Sequence, residues 1–506
     1  MILPDDTPAS PTKSRAGPLS PASEDTHEDN VPPPPAYPGP PPTQQQNVDI
    51  EAQAGNSRTP LVQRSGFGES SPIEEVEPAA TRFLKAFGIV VLIYLVVGSF
   101  TRTAIAGVHW DHRSGGHVEV SVRSSDHASK IPYPRQSDGK IISCSSADVG
   151  QPRFRSGPVT SFLFPLSADL LYIYGRGALS HGSIVFVPTT DRSIPEGNIR
   201  VDITPHFENS FALGSANICL LEPAVGQRSI AILTPRQWWP SSDLEFKVEV
   251  RFPAQATPLG KPLRVKAFET NLPLFEHAFS ELEGKVSFGS LKVSSTNMPI
   301  HAWVRWHSVE ADNATMVTSN ARIDGKFRVS RELELRTSNQ AIDAQVTLDH
   351  DVSRSDTVSS NLTMVTTNAR IDSKISLRRA AYVQTGGSFS VSAHTSNGAV
   401  DLAVTSQPAD STLTLSARAS NSPATVHLNP AFEGAIEIGT TNGPVSFDVN
   451  KKASDPGNRG RQRMWVVSEK TMKMWKGFVS WGSPHGRRLN GRVTVQTENG
   501  AAELQV

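Results

Sequence analysis

The chain has 506 residues with 49 basic and 49 acidic side chains, a formally neutral balance in a length that suits about three domains. The neutrality is a cancellation, because residues 1–82 carry 12 acidic and 5 basic side chains and residues from 107 onward carry 37 and 42. Neither stretch has the strong basic excess of a nucleic-acid-binding surface, so no nucleic-acid partner is expected.

Residues 1–82 hold 16 of the 38 prolines, no tryptophan, and only Tyr37 and Phe67 as aromatics. With so little apolar material they cannot bury enough surface to offset the entropy of ordering, and a disordered proline-rich tail is expected. Within it, Pro34-Pro35-Ala36-Tyr37 follows Val31-Pro32-Pro33 and matches the PPxY pattern of WW-domain ligands. A polyproline II segment is already extended, so docking costs little entropy, and the Tyr37 ring adds a pocket contact. WW domains of this class occur in ubiquitin ligases that control membrane-protein turnover.

Residues 83–101 read FLKAFGIVVLIYLVVGSFT, in which twelve residues are Leu, Ile, Val or Phe and Lys85 is the single charge. At about 1.5 Å per residue this run reaches roughly 28 Å, close to the hydrocarbon thickness of a bilayer. Lys85 lies near one end, where it can snorkel. One transmembrane helix is therefore expected within 83–106. Arg82 and Lys85 before it balance Arg102 and Arg113 after it, so basic residues leave the orientation open. The sequons at Asn313 and Asn361 and both cysteines, Cys144 and Cys219, lie after the helix. Glycosylation and a disulfide need the secretory or extracellular side. The expected protein is single-pass and type II, with a cytosolic N-terminus, in the plasma membrane or secretory pathway.

Residues 107–265 read as short strands separated by turn residues. Segments 117–123, 183–187, 198–204, 229–233 and 244–252 alternate apolar and polar side chains or run apolar, and a β-sandwich-like domain is expected.

Residues 266–506 repeat. An Asn preceded in eight of nine cases by Ser or Thr recurs at 271, 297, 320, 339, 368, 397, 421, 442 and 499. An aliphatic residue stands three positions later in seven of them, and position −4 is mostly apolar. Residues 313–324 and 361–372 agree at ten of twelve positions. Each unit reads as strand, Asn-centred turn, strand, with Asn chosen for its tolerance of left-handed backbone and the turn side chains placed to form hydrogen-bonded ladders. A unit alone cannot cover its apolar side chains, so the units should stack into a β-solenoid. Asp324, Asp343, Asp372 and Asp401 follow the aliphatic position, but the Asp-rich glycine repeat of calcium-binding β-rolls is absent. No metal or cofactor is expected.

The run Thr395-Ser396-Asn397-Gly398-Ala399-Val400 resembles the bacterial adhesin repeat domain, a stacked β-structure. The whole plan, with the terminal stretch Lys476-Gly477-Phe478-Val479-Ser480-Trp481-Gly482, resembles a family of fungal single-pass membrane proteins of unknown function. That resemblance implies architecture rather than activity.

The sequence contains no GxSxG elbow, HExxH, Walker loop or GxGxxG after a strand. His109, Asp111, His112 and His117 read as solvated linker residues. A basic segment at 451–463 precedes Trp465, Trp475 and Trp481, and Arg461 with Trp475 is the expected contact for anionic or wall carbohydrate. The expected function is non-enzymatic: display of a repetitive β domain for adhesion, wall or partner contact. The alternatives are a membrane adaptor for WW-domain ubiquitin ligases, or an enzyme with an unrecognised site.

Overall fold

In the computed structural model the described residues are 132–146, 157–207, 216–235, 244–253, 261–302, 309–351, 358–379, 385–483 and 491–506. The proline-rich tail with Pro34, Pro35 and Tyr37, the apolar segment 83–106, the residues His109, Asp111, His112 and His117, and the expected strand at 117–123 lie outside them. Among the described residues no helix is long and apolar enough to cross a membrane. All of them fall in one compact unit, Val120–Val506.

Its described residues are all-β apart from a single 3-10 turn at Gln136–Asp138. Its first strands are β1 (Lys140–Ser146), β2 (Thr160–Pro165), β3 (Leu170–Arg176) and β4 (His181–Thr189). They continue with β5 (Asn198–Phe207), β6 (Asn217–Glu222), β7 (Gln227–Leu233) and β8 (Leu244–Pro253). Coils of two strands follow: β9 (Leu263–Asn271) with β10 (Leu274–Phe279), and β11 (Val286–Ser294) with β12 (Ile300–Ala302). β13 (Val309–Val317) leads into the long β14 (Ile323–Arg336), then β15 (Ile342–His350). Next come β16 (Ser360–Val365) with β17 (Ile371–Arg379), and β18 (Ser388–Thr395) with β19 (Val400–Ser406). β20 (Thr412–Ala419) joins β21 (Ala424–His427), and β22 (Gly434–Thr440) joins β23 (Val445–Asp448). A hairpin of β24 (Arg463–Lys470) and β25 (Met474–Trp481) precedes the last coil, β26 (Gly491–Thr497) and β27 (Ala502–Gln505).

The pairings resolve into two facing sheets. The first runs β1-β6-β7-β3-β9-β11-β13-β14-β16-β18-β20-β26-β22-β25-β24. The second runs β2-β5-β8-β4-β10-β12-β14-β15-β17-β19-β21-β27-β23. β14 belongs to both, crossing over along its length. In the first sheet fourteen inter-strand steps of about 4.8 Å give a stack roughly 67 Å long. Pairing is parallel through the middle and antiparallel only near the ends, at β1-β6-β7, β2-β5-β8 and β22-β25-β24. The sheets cross residue 265 without interruption, since β3 pairs with β9 and β4 with β10.

One apolar core fills the space between the sheets. Period-2 alternation puts every second side chain into it, as in the buried–intermediate pattern of β15 and β18. Position −4 from each turn Asn is fully buried at Val293, Met316, Leu335, Met364, Ile438 and Val495, and position +3 at Ile300, Ile323, Ile342 and Ile371. Ala424 and Ala502, which lack the aliphatic signal, occupy the same buried row beside Val400 and Val445.

Three details of the repeat differ from the sequence expectation. Asn271 is not a turn residue: it pairs with Ser294 at the end of β9, and the register sets His277, not Leu274, level with Ile300. The motif matched there by composition alone, three residues out of phase with the coil. None of the turn asparagines has a positive φ, and neither do Gly398, Gly443 or Gly500. Asn serves the ladder described below, and the glycines serve close approach. A Cβ on Gly398 would stand 1.9 Å from the Ala369 carbonyl oxygen, and one on Gly443 would stand 1.9 Å from that of Gly500. Finally, the last coil does not add to the end: β26 inserts between β20 and β22, and β27 between β21 and β23.

Candidate functional site

The turns line one edge of the stack, and their asparagines form a continuous side-chain ladder. The Asn320 amide donates to Asn297 Oδ1 at 2.7 Å, Asn339 to Asn320 at 2.6 Å, and Asn368 to Asn339 at 2.7 Å. It continues from Asn397 to Asn368 and from Asn421 to Asn397, each at 2.8 Å, then through Asn499 to Asn421 at 2.7 Å and Asn442 to Asn499 at 2.8 Å. A second row lies beneath it. Thr318, Thr337, Thr366, Thr395 and Thr440, each two residues before an Asn, are buried and donate their hydroxyls to turn carbonyls of neighbouring coils. This row was visible in the spacing at position −2. The −1 position, which carries the more obvious Ser/Thr signal, mostly faces out.

The structure joins Cys144 and Cys219 in a disulfide between β1 and β6, closing a separation of 75 residues. In the chain-entropy account such a loop contributes about 4 kcal/mol. Asn313 and Asn361 stand in one outward row of the first sheet, both level with Glu332, so they project from the same face two strands apart. Asp324, Asp343, Asp372 and Asp401 are in register on the outer face of the second sheet. Burial, with the carboxylates of Asp343 and Asp401, raises the Asp372 pKa, and Arg322 meets Asp343 at 2.6 Å. Among the described residues no group of three or more His, Cys, Asp or Glu is placed to hold a metal ion.

The expected carbohydrate contact sits in the cap of the stack. The first sheet extends two strands past β23, and the segment after β23 folds against that overhang. Arg461 is held by Asp455 at 2.8 Å and Glu433 at 3.2 Å, and its hydrogen bonds push the Asp455 carboxyl well below the usual range. Arg463 donates to the carbonyls of Pro430 and Phe432 and lies over Trp481; burial lowers its pKa to about 10. Trp481 is buried. Trp475 stands edge-on to Phe447 at 6.0 Å with Lys470 over its ring at 4.1 Å, so both Arg461 and Trp475 are engaged in closing the open end.

Among the described residues, clefts open near the start and near the far end of the first sheet's outer face. Near its start, about 500 Å³ is lined by Asp138, Tyr172, Tyr174, Arg176, Arg228 and Asn271. Its charges are compensated internally. Arg176 chelates Asp138 at 2.7 and 2.9 Å while lying over Tyr174, which stacks on Tyr172, and Arg228 meets Glu222 at 2.5 Å. Near the far end a groove of about 640 Å³ crosses five adjacent strands, its floor set by His394, Arg418, Gln496, Gly439 and Met474. The tip of the β24–β25 hairpin, Thr471 and Lys473, forms the overhanging wall. Sequence reading did not find this groove. Its signal was faint: position −3 is the outward residue nearest each turn, and only the non-sequential strand order brings these residues side by side.

The family described as "Domain of unknown function (DUF7330)" matches residues 313–483. That span begins in β13 and ends just after β25, so it omits β26 and β27, which lie inside the stack it covers. A solved structure titled a "putative cell adhesion protein", from Clostridium sporogenes, is 9% identical, covering 69% of this chain and 99% of its own. Its TM-score is 0.14. No curated protein matches.

Proposed function

We propose that the chain is a non-enzymatic, single-pass membrane protein whose β-stack is displayed outside the cytosol to contact wall polymer or a surface partner. The observation that supports this most is the stack itself, a roughly 67 Å rod whose outward side chains stand in register from coil to coil, a surface suited to extended ligands. The apolar run at 83–101 anchors it, with the N-terminal tail in the cytosol. Asn313 and Asn361 then carry glycans on one face of the first sheet. Labelling intact cells with a membrane-impermeant amine reagent tests this reading. Lysines after residue 266 should react while Lys13 does not, and the reverse pattern, or reaction at neither, removes the proposal.

A second reading is favoured by the PPxY run at Pro34-Pro35-Ala36-Tyr37. Here the tail recruits WW-domain ubiquitin ligases and controls the protein's turnover, whatever the outer region touches. Tyr37→Ala should abolish capture by a WW domain and lengthen the half-life; an unchanged half-life with capture intact ends this reading.

A further inference from the structure

We propose that the groove under the hairpin tip is a binding site for an anionic oligosaccharide, with its acid groups against Arg418, His394 and Lys473; this rests on the surface-contact reading above. The charges come first. Several arginines elsewhere on the stack are paired, Arg322 with Asp343, Arg328 with Asp349 and Arg492 with Glu437. Arg418 is exposed in the groove and, among the described residues, makes no ion pair; Lys473 gives its ammonium only to the Gly443 carbonyl, at 3.2 Å. Glu498 is the one carboxylate in the lining, against these two cations and an imidazole. An uncompensated guanidinium beside an ammonium is an arrangement that anions satisfy.

Gly439 makes the space. Its neighbours in the row carry Gln496 and Arg418, while Gly439 has no positive φ, and a Cβ there would meet only the Lys473 carbonyl oxygen, at 3.8 Å. Neither backbone conformation nor close packing requires glycine at this position, in contrast to Gly398 and Gly443. Its missing side chain leaves the groove floor open between Gln496 and the hairpin tip. The volume of about 640 Å³ falls in the range of ligand sites, and five strands give about 19 Å of length.

The lining selects the ligand class. Besides the cations it offers the hydroxyls of Ser420, Thr441 and Thr471 and the Gln496 amide, with Met474 its one large apolar side chain. Such donors and acceptors match a polyhydroxylated chain. An acidic peptide would want apolar pockets or a free strand edge, and the groove floor is a row of paired strands.

Titration calorimetry of the full-length protein with four probes tests the inference: trigalacturonate, a sulfated heparin tetrasaccharide, neutral maltotriose and triglutamate. Wild type should bind the two charged saccharides and discriminate between carboxylate and sulfate sources, with weaker maltotriose and triglutamate. Arg418→Ala with Lys473→Ala should weaken binding of the charged saccharides at least tenfold. Gly439→Leu should do the same with every charge retained, and Lys292→Ala, on the same face far from the groove, should change nothing. Charged saccharides bound equally by wild type and both groove variants would overturn the site but leave the surface-contact reading standing. Triglutamate bound as tightly as trigalacturonate overturns the saccharide class. No binding of any saccharide by wild type overturns the inference, while the cell-labelling outcome remains an independent measure of display.

Discussion

From β2 to β11 the core is built around a cluster of phenylalanines, and from β12 onward it is mainly a set of aliphatic rows under a hydrogen-bonded edge. Phe268 illustrates the first: its ring meets Phe164, Phe186, Phe252 and Phe288 at 5.4 to 6.5 Å, joining strands of both sheets. In the second region most buried side chains are smaller, Ile, Val, Leu and Ala, with Phe327, Phe389 and Phe432 set singly among them. The early region depends on a few large, irreplaceable groups and a disulfide. The later one distributes its stability over many equivalent small terms, which is the expected energetics of a solenoid. Single substitutions should therefore cost more in the early region than in the repeat.

The largest effect should come from ending the chain after Ser483. That removes β26 and β27, leaving β20, β21, β22 and β23 without their shared partners and breaking the ladder between Asn421 and Asn442. Hydrogen exchange should show loss of protection across residues 412–448 while β3 to β9 stay protected; unaltered protection at 412–448 would contradict the inserted-coil topology. Phe268→Ala should follow at about 4 kcal/mol, lowering the unfolding midpoint of the early region while exchange in β16 to β21 holds. If both regions lose protection together, they are one cooperative unit and differ only in composition.

Asn368→Ala should cost about 1 kcal/mol, the net worth of a typical hydrogen bond. Asn442→Ala, at the end of the ladder, should cost less, and equal losses would show that the amides act singly rather than as a chain. The smallest effect at neutral pH belongs to His277. Its imidazole is fully buried, bonded to Thr270 Oγ1 and the Phe275 carbonyl, and burial lowers its pKa to about 3. The unfolded chain takes up that proton near pH 6.5, so it binds more protons than the native state between about 6.5 and 3, and stability falls as pH drops through that window. His277→Ile together with Thr270→Val restores the aliphatic row and should flatten this decline relative to wild type. Superimposable pH profiles of the two proteins would remove His277 as its source.

Much of the fold could be read before any coordinates. Strand segments 183–187, 198–204, 229–233 and 244–252 fall within β4, β5, β7 and β8. The −4 and +3 rows point inward as the alternation required, because the period of a strand fixes which side chains share a face. The candidate groove was not legible, since Arg418, Gln496 and Gly439 are far apart in sequence and acquire meaning only as neighbours. Arg461 and Trp475 were visible as a charged and aromatic pair, but composition does not reveal that Asp455, Glu433 and Phe447 engage them.

By itself the sequence determined the all-β class, the repeat and its core rows, since these follow from local alternation and turn spacing. The tertiary structure decided which coil lies on which. A turn Asn with a buried Thr before it suits any neighbouring coil equally well, so the motif cannot specify that Asn499 stands between Asn421 and Asn442. That choice is made by long-range pairing: Gly443 and Gly500 admit the close approach of their coils, and the β24–β25 hairpin occupies the edge where the last coil would otherwise have been added.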